Sequence, residues 1–330
     1  MATSPTSPPR PSGATRPLVL AGTPRSGTTW TMRVLEGDPS LLPLMEPDNE
    51  SRSAPAIWGK RRSGRFPVLR PGDRDASLQW LWSWILDGAP ESDRLKLSAP
   101  LLRAVRPGGR RRFYQGRTSP LMQLAGMVGA RPRHQPVPAL GARRLFVKTV
   151  HIPLAVEWLA SEFDIDVLVL LRHPGNVLAS WISLDLNDQF ARLDQQPAIR
   201  RRIDHPGSIP PPGTDPLERL VWQIGVLTLG LEEAAAANPG WVVRTHEELC
   251  IEPVTQFRRL YAQLGLTWTE AAEEYLSRND RPGEGFPTQR VASDQPDAWK
   301  TRLSSEQADS LRRVLSRFPF TTWTADDFGS

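Results

Sequence analysis

The sequence predicts an α/β fold with a central, mainly parallel sheet flanked by helices. Three observations point there. Short apolar runs alternate with helix-like segments along the chain, the order that builds parallel sheets. The runs are continuously apolar rather than alternating in polarity, as strands covered on both faces require. The first run feeds a glycine loop, Gly22-Thr-Pro-Arg-Ser-Gly27, that opens onto a helical pattern near Thr28. That is the strand–loop–helix context of a phosphate-binding turn.

The expected strands are 18–21, 145–150, 166–171 and 241–245. Helix-like patterns follow each, from Thr28 and then over about 153–163, 174–185 and 252–265. Pro174 suits a first helical turn, where a missing N–H costs nothing. The clearest helix is 217–237, with Leu217, Leu220, Val221, Ile224, Leu227 and Leu231 on one face. Asp215 is its expected N-cap, Pro216 its first residue, and Asn238-Pro-Gly240 its end. A last helix is expected over 304–317. The proline-rich stretch 197–216 reads as a loop, and residues 1–17, rich in Pro, Ser and Thr, as a disordered tail. Residues 18–330 then form a single domain. Within it, 48–142 breaks the strand–helix rhythm and is expected to be a variable insertion, a lid or acceptor-binding surface. It carries Trp80, Trp82 and Trp84, of which at least two are expected in the core. Its basic tract, Arg103 to Arg112, reads as solvated surface that could attract an anionic acceptor.

The chain has 330 residues, 39% of them hydrophobic, a net charge of +5 and one cysteine, Cys250. A lone cysteine allows no internal disulfide and points to a reducing compartment. No run approaches the ~20 apolar residues that span a bilayer. The expectation is a cytoplasmic enzyme with no membrane and no nucleic-acid partner, since no nucleic-acid-binding motif accompanies the basic residues. Of 41 basic residues only Lys60, Lys96, Lys148 and Lys300 are lysine. This arginine excess matches the codon bias of a high-GC bacterial genome, against which Lys148 and Lys300 stand out.

The loop at 22–27 has the glycine spacing of nucleotide-triphosphatase loops. Thr28 and Thr29 stand where Lys-Ser or Lys-Thr would follow, and the cation sits inside the loop as Arg25. The backbone from Ser26 through Gly27 to Thr29 can still wrap an anion at a helix N-terminus. The strand 166–171 ends in Arg172 rather than in an acidic magnesium ligand, and Ser180 lies on the helix behind it. An arginine and a serine so placed can clamp a second phosphate by charge and hydrogen bond. His134, His173, His205 and His246 show no metal-ligand spacing, so no metal is expected. His173 reads as a neighbour of the phosphate site.

These residues carry a resemblance. PRSGTTW at 24–30 resembles the 5′-phosphosulfate loop of the PAPS-dependent sulfotransferases, PAPS being 3′-phosphoadenosine 5′-phosphosulfate. LLRHPGNVLASW at 170–181 resembles their 3′-phosphate motif. The likeness extends to VKTVHIPL at 147–154, RTHEELCIEPVTQFRRLYAQLGL at 244–266 and AWKTRLSSEQ at 298–307. It implies a P-loop-kinase-like α/β domain. It also implies that Arg25 contacts the bridging oxygen and 5′-phosphate of PAPS, which Ser26, Gly27, Thr28 and Thr29 help to hold. Trp30 would stack on adenine, Arg172 and Ser180 would take the 3′-phosphate, and Thr245 would lie near adenine. Trp299 and Lys300 would close over the nucleotide. The glycine-rich element that precedes this pair in cytosolic members is replaced here by Arg290-Val-Ala-Ser-Asp-Gln-Pro296.

The reaction implied is metal-independent, in-line transfer of a sulfuryl group to a hydroxyl or amine of a small molecule, a carbohydrate or specialised metabolite. By analogy with phosphoryl transfer, catalysis is then mostly positioning and charge stabilisation. Arg25 and Lys148 would neutralise the leaving bisphosphate. Two residues compete as general base. His151 follows Lys148-Thr-Val, one residue later than in the cytosolic K-T-H-x-P motif, and strand alternation could turn it away. Glu46, in Leu44-Met-Glu-Pro47, resembles the glutamate of bacterial and carbohydrate sulfotransferases, and the reading favours it. The alternatives are a P-loop kinase with a relocated cation and a non-catalytic nucleotide-binding protein.

Overall fold

The computed structural model describes residues 15–50, 53–87, 143–188, 190–205, 208–283 and 290–329. The Arg103–Arg112 tract, Lys96, His134 and the expected tail up to residue 14 lie outside them. Five strands, β1 (Leu18–Gly22), β2 (Leu41–Met45), β3 (Arg144–Thr149), β4 (Asp166–Leu171) and β5 (Val242–Thr245), pair in the order β2-β3-β1-β4-β5. Every pairing is parallel, so the expected α/β architecture is the one observed.

Strand β2 was not expected. Pro43 interrupts its apolar run and cannot donate to a ladder, which confines such a strand to an edge. Among the described residues β2 is an edge strand, pairing only with β3. The helices are α1 (Thr28–Leu35), α2 (Ala54–Gly59), α3 (Ala76–Asp87), α4 (Val156–Glu162), α5 (Pro174–Ser183), α6 (Pro197–Ile203) and α7 (Pro216–Ala237). After β5 come α8 (His246–Cys250), α9 (Pro253–Gln263), α10 (Glu270–Asn279), α11 (Ala298–Arg302) and α12 (Ser305–Leu315). Helix α6 corrects the loop expected over 197–216. Its proline sits at the first position, where it starts a helix rather than breaking one.

Side-chain alternation in the strands fills two cores. Val19, Ala21, Val147, Val167 and Val169 pack on one face with α3, α4, α5 and α7. Leu18, Leu20, Phe146, Leu168 and Leu170 pack on the other with α1, α9 and α10. Lys148 falls in the second phase, two residues after Phe146, and so faces the α1 side at the strand mouth. Helix α7 is capped as expected, the Asp215 carboxylate accepting from Glu218 N–H at 2.9 Å. By length and composition α7 could cross a membrane, but 78% of its most apolar stretch is buried inside the protein, as a core helix should be. Trp82 is fully buried on α3, while Trp80 and Trp84 pack on the core half-buried. Trp80 meets Trp58 edge-on at 4.7 Å. The part of the expected insertion that is described therefore contributes to the core.

Candidate active site

Four chain segments meet at the C-terminal mouths of the strands, the usual site of ligands in open parallel sheets. Register fixes this. Leu170 pairs with Gly22, Ala21 with Thr149 and Met45 with Lys148. The segments leaving these strands therefore start side by side with the glycine loop, the Glu46 turn, the β3 end and Arg172.

Both loop glycines have steric reasons. A Cβ on Gly22 would lie 2.4 Å from Ser26 Oγ, and one on Gly27, at φ 91°, would lie 2.1 Å from the His246 ring. The turn closes with Ser26 N–H donating to Thr23 carbonyl at 3.1 Å. Trp181 on α5 donates its indole N–H to Pro24 carbonyl at 2.9 Å. Helix α1 begins at Thr28 after Gly27, an N-cap that offers no side-chain hydrogen bond, leaving its first-turn N–H groups to an anion.

Arg25 has a left-handed backbone, φ 75°. Its Nε donates to Ser180 Oγ at 2.9 Å, and Arg172 Nη1 donates to Arg25 carbonyl at 2.9 Å. Three candidate residues from three segments are thus joined in one chain of contacts. Burial lowers the pKa of Arg25, and the neighbouring Arg172, Arg290 and Arg302 lower it further, against a smaller opposing effect of Glu46. Arg172 is lowered mainly by burial. Glu247 and Cys250 oppose that, and Arg302 and Arg290 add to it. Arg172 Nε and Ser26 Oγ are buried and make no hydrogen bond among the described residues. Crowded cations, an uncapped helix start and orphaned buried donors together fit a polyanionic ligand.

The Glu46 turn is built differently. Glu46 also has a left-handed backbone, φ 48°, directly before Pro47. It ion-pairs through Oε1 with Lys148 Nζ, and Oε2 accepts from Asn49 Nδ2 at 2.6 Å. Lys148 and Glu46 side chains are 3% and 12% exposed, so both charges depend on each other for solvation. His151 is buried with its ring 5.9 Å from Phe66, and its N–H donates to Thr149 Oγ1. Of the two competing bases, Glu46 is the one in ion-pair contact with Lys148.

The remaining expected site residues have structural partners. Thr245 caps α8 in a capping box with Glu248. Trp299 is 1% exposed, stacks on His173 at 5.1 Å, and donates its backbone N–H to Asn176 Oδ1 at 3.0 Å. The Lys300 side chain is half-exposed and pairs with Asp297 at 2.8 Å. Gly175, at the start of α5, leaves room for the Trp299 ring, which a Cβ there would meet at 2.7 Å. Trp30 is half-buried, edge-on to His246 at 5.5 Å and to Phe257 at 5.0 Å. His173 caps α5 by accepting Gly175 N–H at 3.2 Å on Nδ1, so Nε2 carries the proton toward Asp327 carbonyl at 3.0 Å. Burial lowers its pKa to about 4 and keeps it neutral. Burial raises the Cys250 thiol to about 12 beside His246, which leaves it unreactive.

Several contributors carry no sequence signal. Arg290 and Arg302, the latter at the end of α11, act on the cluster from segments remote in sequence. Glu247, its pKa raised by burial and lowered by Arg172, accepts from His173 N–H and Asn176 Nδ2 at 3.1 Å each. Asp48, Asn49 and Lys60 surround the Glu46 turn, and only their spatial convergence marks them.

No family model and no curated protein matches this sequence. Among solved structures, the chain is similar to the sulfotransferase domain from the curacin biosynthetic pathway, at 14% identity over 93% of this chain and 100% of that one, TM-score 0.41. It is also similar to the sulfotransferase domain from the Synechococcus PCC 7002 olefin synthase, at 14% identity over 95% and 98%, TM-score 0.45. A mouse sulfotransferase complexed with PAP is similar at 12% identity over 92% and 84%, TM-score 0.38. These are similarities of fold.

Proposed function

We propose that the protein transfers a sulfuryl group from PAPS to a hydroxyl or amine of a small molecule, a carbohydrate or specialised metabolite. One observation carries the reading: Arg172, Arg25 and Ser180 are linked by hydrogen bonds of 2.9 Å at the mouth of the sheet, beside an uncapped helix start. One ligand with phosphate at both ends of an adenosine would engage the loop and the Arg172 cluster together.

In this reading PAPS supplies the activated sulfuryl group, and the protein supplies the setting. Ser26, Gly27, Thr28 and Thr29 hold the 5′-phosphate through N–H groups and hydroxyls, and Arg25 meets the bridging oxygen. Arg172 and Ser180 take the 3′-phosphate. Trp30 offers its open face to adenine. The acceptor oxygen forms a bond to sulfur as the bond from sulfur to the bridging oxygen breaks. The electron pair leaves with the bisphosphate, and the acceptor proton goes to Glu46. Arg25 and Lys148 balance the negative charge that builds on the leaving side. The reading also keeps residues 18–330 as one domain acting in the cytoplasm, which the lone cysteine supports.

Thermal unfolding tests it. Adenosine 3′,5′-bisphosphate is expected to raise the Tm by several degrees, as any ligand of the native state does. Mg-ATP is expected to leave it unchanged, and transfer of labelled sulfate is expected to persist in EDTA. Stabilisation by Mg-ATP alone, with magnesium-dependent phosphate in a product, would establish the kinase alternative.

A further inference from the structure

The turn that carries Glu46 is fastened by groups with no part in the chemistry above. Asn49 N–H donates to Glu46 carbonyl at 3.1 Å, a tight turn with Pro47 and Asp48 at its centre. A left-handed residue before proline is strained, because proline crowds the preceding backbone, and such strain persists only where surroundings over-determine it. Here the surroundings are Asp48. Its Oδ2 accepts from Thr149 Oγ1 at 2.6 Å, and its carbonyl accepts from Lys60 Nζ at 3.1 Å. Lys60 in turn pairs with Glu50 at 2.7 Å. Asp48 is fully buried. Thr149 adjoins Lys148 in β3, and Lys148 carbonyl accepts Glu46 N–H at 2.7 Å. One side chain therefore ties the turn to the strand that presents Lys148.

We propose that Asp48 is a positioning residue, holding the strained turn so that the Glu46 carboxylate stays against Lys148 at the mouth of the sheet. The role rests on the reading that this ion pair flanks the transfer site. Three carboxylates (Glu46, Asp48, Glu50) face two buried ammonium groups (Lys60, Lys148), so Asp48 is the member without an ammonium on its side chain. That agrees with a carboxyl that burial raises to about 6, against the opposing pull of Lys60 and Thr149.

The test is trace acetylation of the full-length protein with acetic anhydride, read lysine by lysine by mass spectrometry. Half-exposed Lys300 is the internal reference. Lys148 in the wild type should react slowly against it. Asp48→Ala should raise Lys148 labelling about tenfold, the loss of one charged hydrogen bond. Asp48→Asn keeps an acceptor for Thr149 and should restore protection. Thr149→Val removes the same bond from the other side, and should match Asp48→Ala if that variant does not fold. Unchanged Lys148 labelling in either folded variant overturns the proposal. So does an equal rise at Lys60 and Lys148 with a lowered Tm, which marks general loosening. A wild type not stabilised by adenosine 3′,5′-bisphosphate would refute the proposed function while leaving the labelling result standing.

Discussion

The two halves of the site handle charge in opposite ways. Around the glycine loop, burial and then the nearby Arg290 and Arg302 lower the pKa of both Arg25 and Arg172, and donors such as Arg172 Nε stay buried without a hydrogen bond among the described residues. Around the Glu46 turn, each ammonium has a carboxylate: Lys148 with Glu46, Lys60 with Glu50. The first region gathers like charges around Arg172 and Glu247 and suits an incoming polyanion. The second is balanced internally and suits holding a geometry. Removing a residue from the first should therefore cost binding, and removing one from the second should cost stability. Backbone strain is common to both, since Arg25 and Glu46 each have a left-handed φ, and such outliers gather at functional sites.

The largest effect should come from the balanced half. Glu46→Gln leaves Lys148 buried without its counter-charge, which should cost about 3–5 kcal/mol of unfolding free energy. Urea unfolding measures this, and a loss below ~1 kcal/mol would break the contrast. Arg172→Ala should do the reverse. Affinity for adenosine 3′,5′-bisphosphate should fall about 100-fold by calorimetry, equivalent to ~2.8 kcal/mol. Its stability should stay within ~1 kcal/mol, since like-charge crowding is relieved as a hydrogen bond is lost.

Acid should separate the halves too. The folded-state pKa of His173, about 4, lies below its ordinary 6.5. Its contribution is therefore present above pH 6.5 and lost as pH falls toward 4, by up to ~3 kcal/mol. The folded-state pKa of Asp48, about 6, lies above its ordinary 3.8. Its contribution is present at low pH and lost as pH rises through 6. Melting from pH 4 to 7.5 should show His173→Asn, which keeps a capping acceptor, less acid-sensitive than wild type. His246, whose pKa burial lowers in the same sense, should leave some acid sensitivity in that variant. Asp48→Asn should gain stability relative to wild type above pH 6. Parallel curves for all three proteins would count against both assignments. The smallest effect should be Lys300→Ala. An exposed pair contributes about 0–1 kcal/mol, and nucleotide affinity should hardly change. A tenfold loss of affinity would mean that Lys300 itself reaches the ligand.

How much could be read in advance follows the range of each interaction. The strands β1, β3, β4 and β5 announce themselves by apolar runs, and α7 by its apolar face and its Asp215-Pro216 start. Strand β2 does not, because Pro43 mimics a break and only pairing at an edge tolerates it. Helix α6 does not, because Pro197 looks the same starting a helix as ending one. In the site, Arg25, Arg172 and Ser180 were legible because they sit at fixed offsets within local strand–turn–helix units. The packing of Trp299 was not legible, since nothing local shows that Gly175 makes room for its ring.

By itself, the sequence determined the parallel sheet, the phosphate-type loop and the separate arginine motif, because periodicity, glycine spacing and caps act over a few residues. Only the tertiary structure decided that Arg290 and Arg302 join that cluster, that Glu46 faces Lys148, and that Asp48 ties their turn to β3. The last two depend on strand register, which brings residues a hundred positions apart to one mouth of the sheet, and no local pattern encodes it.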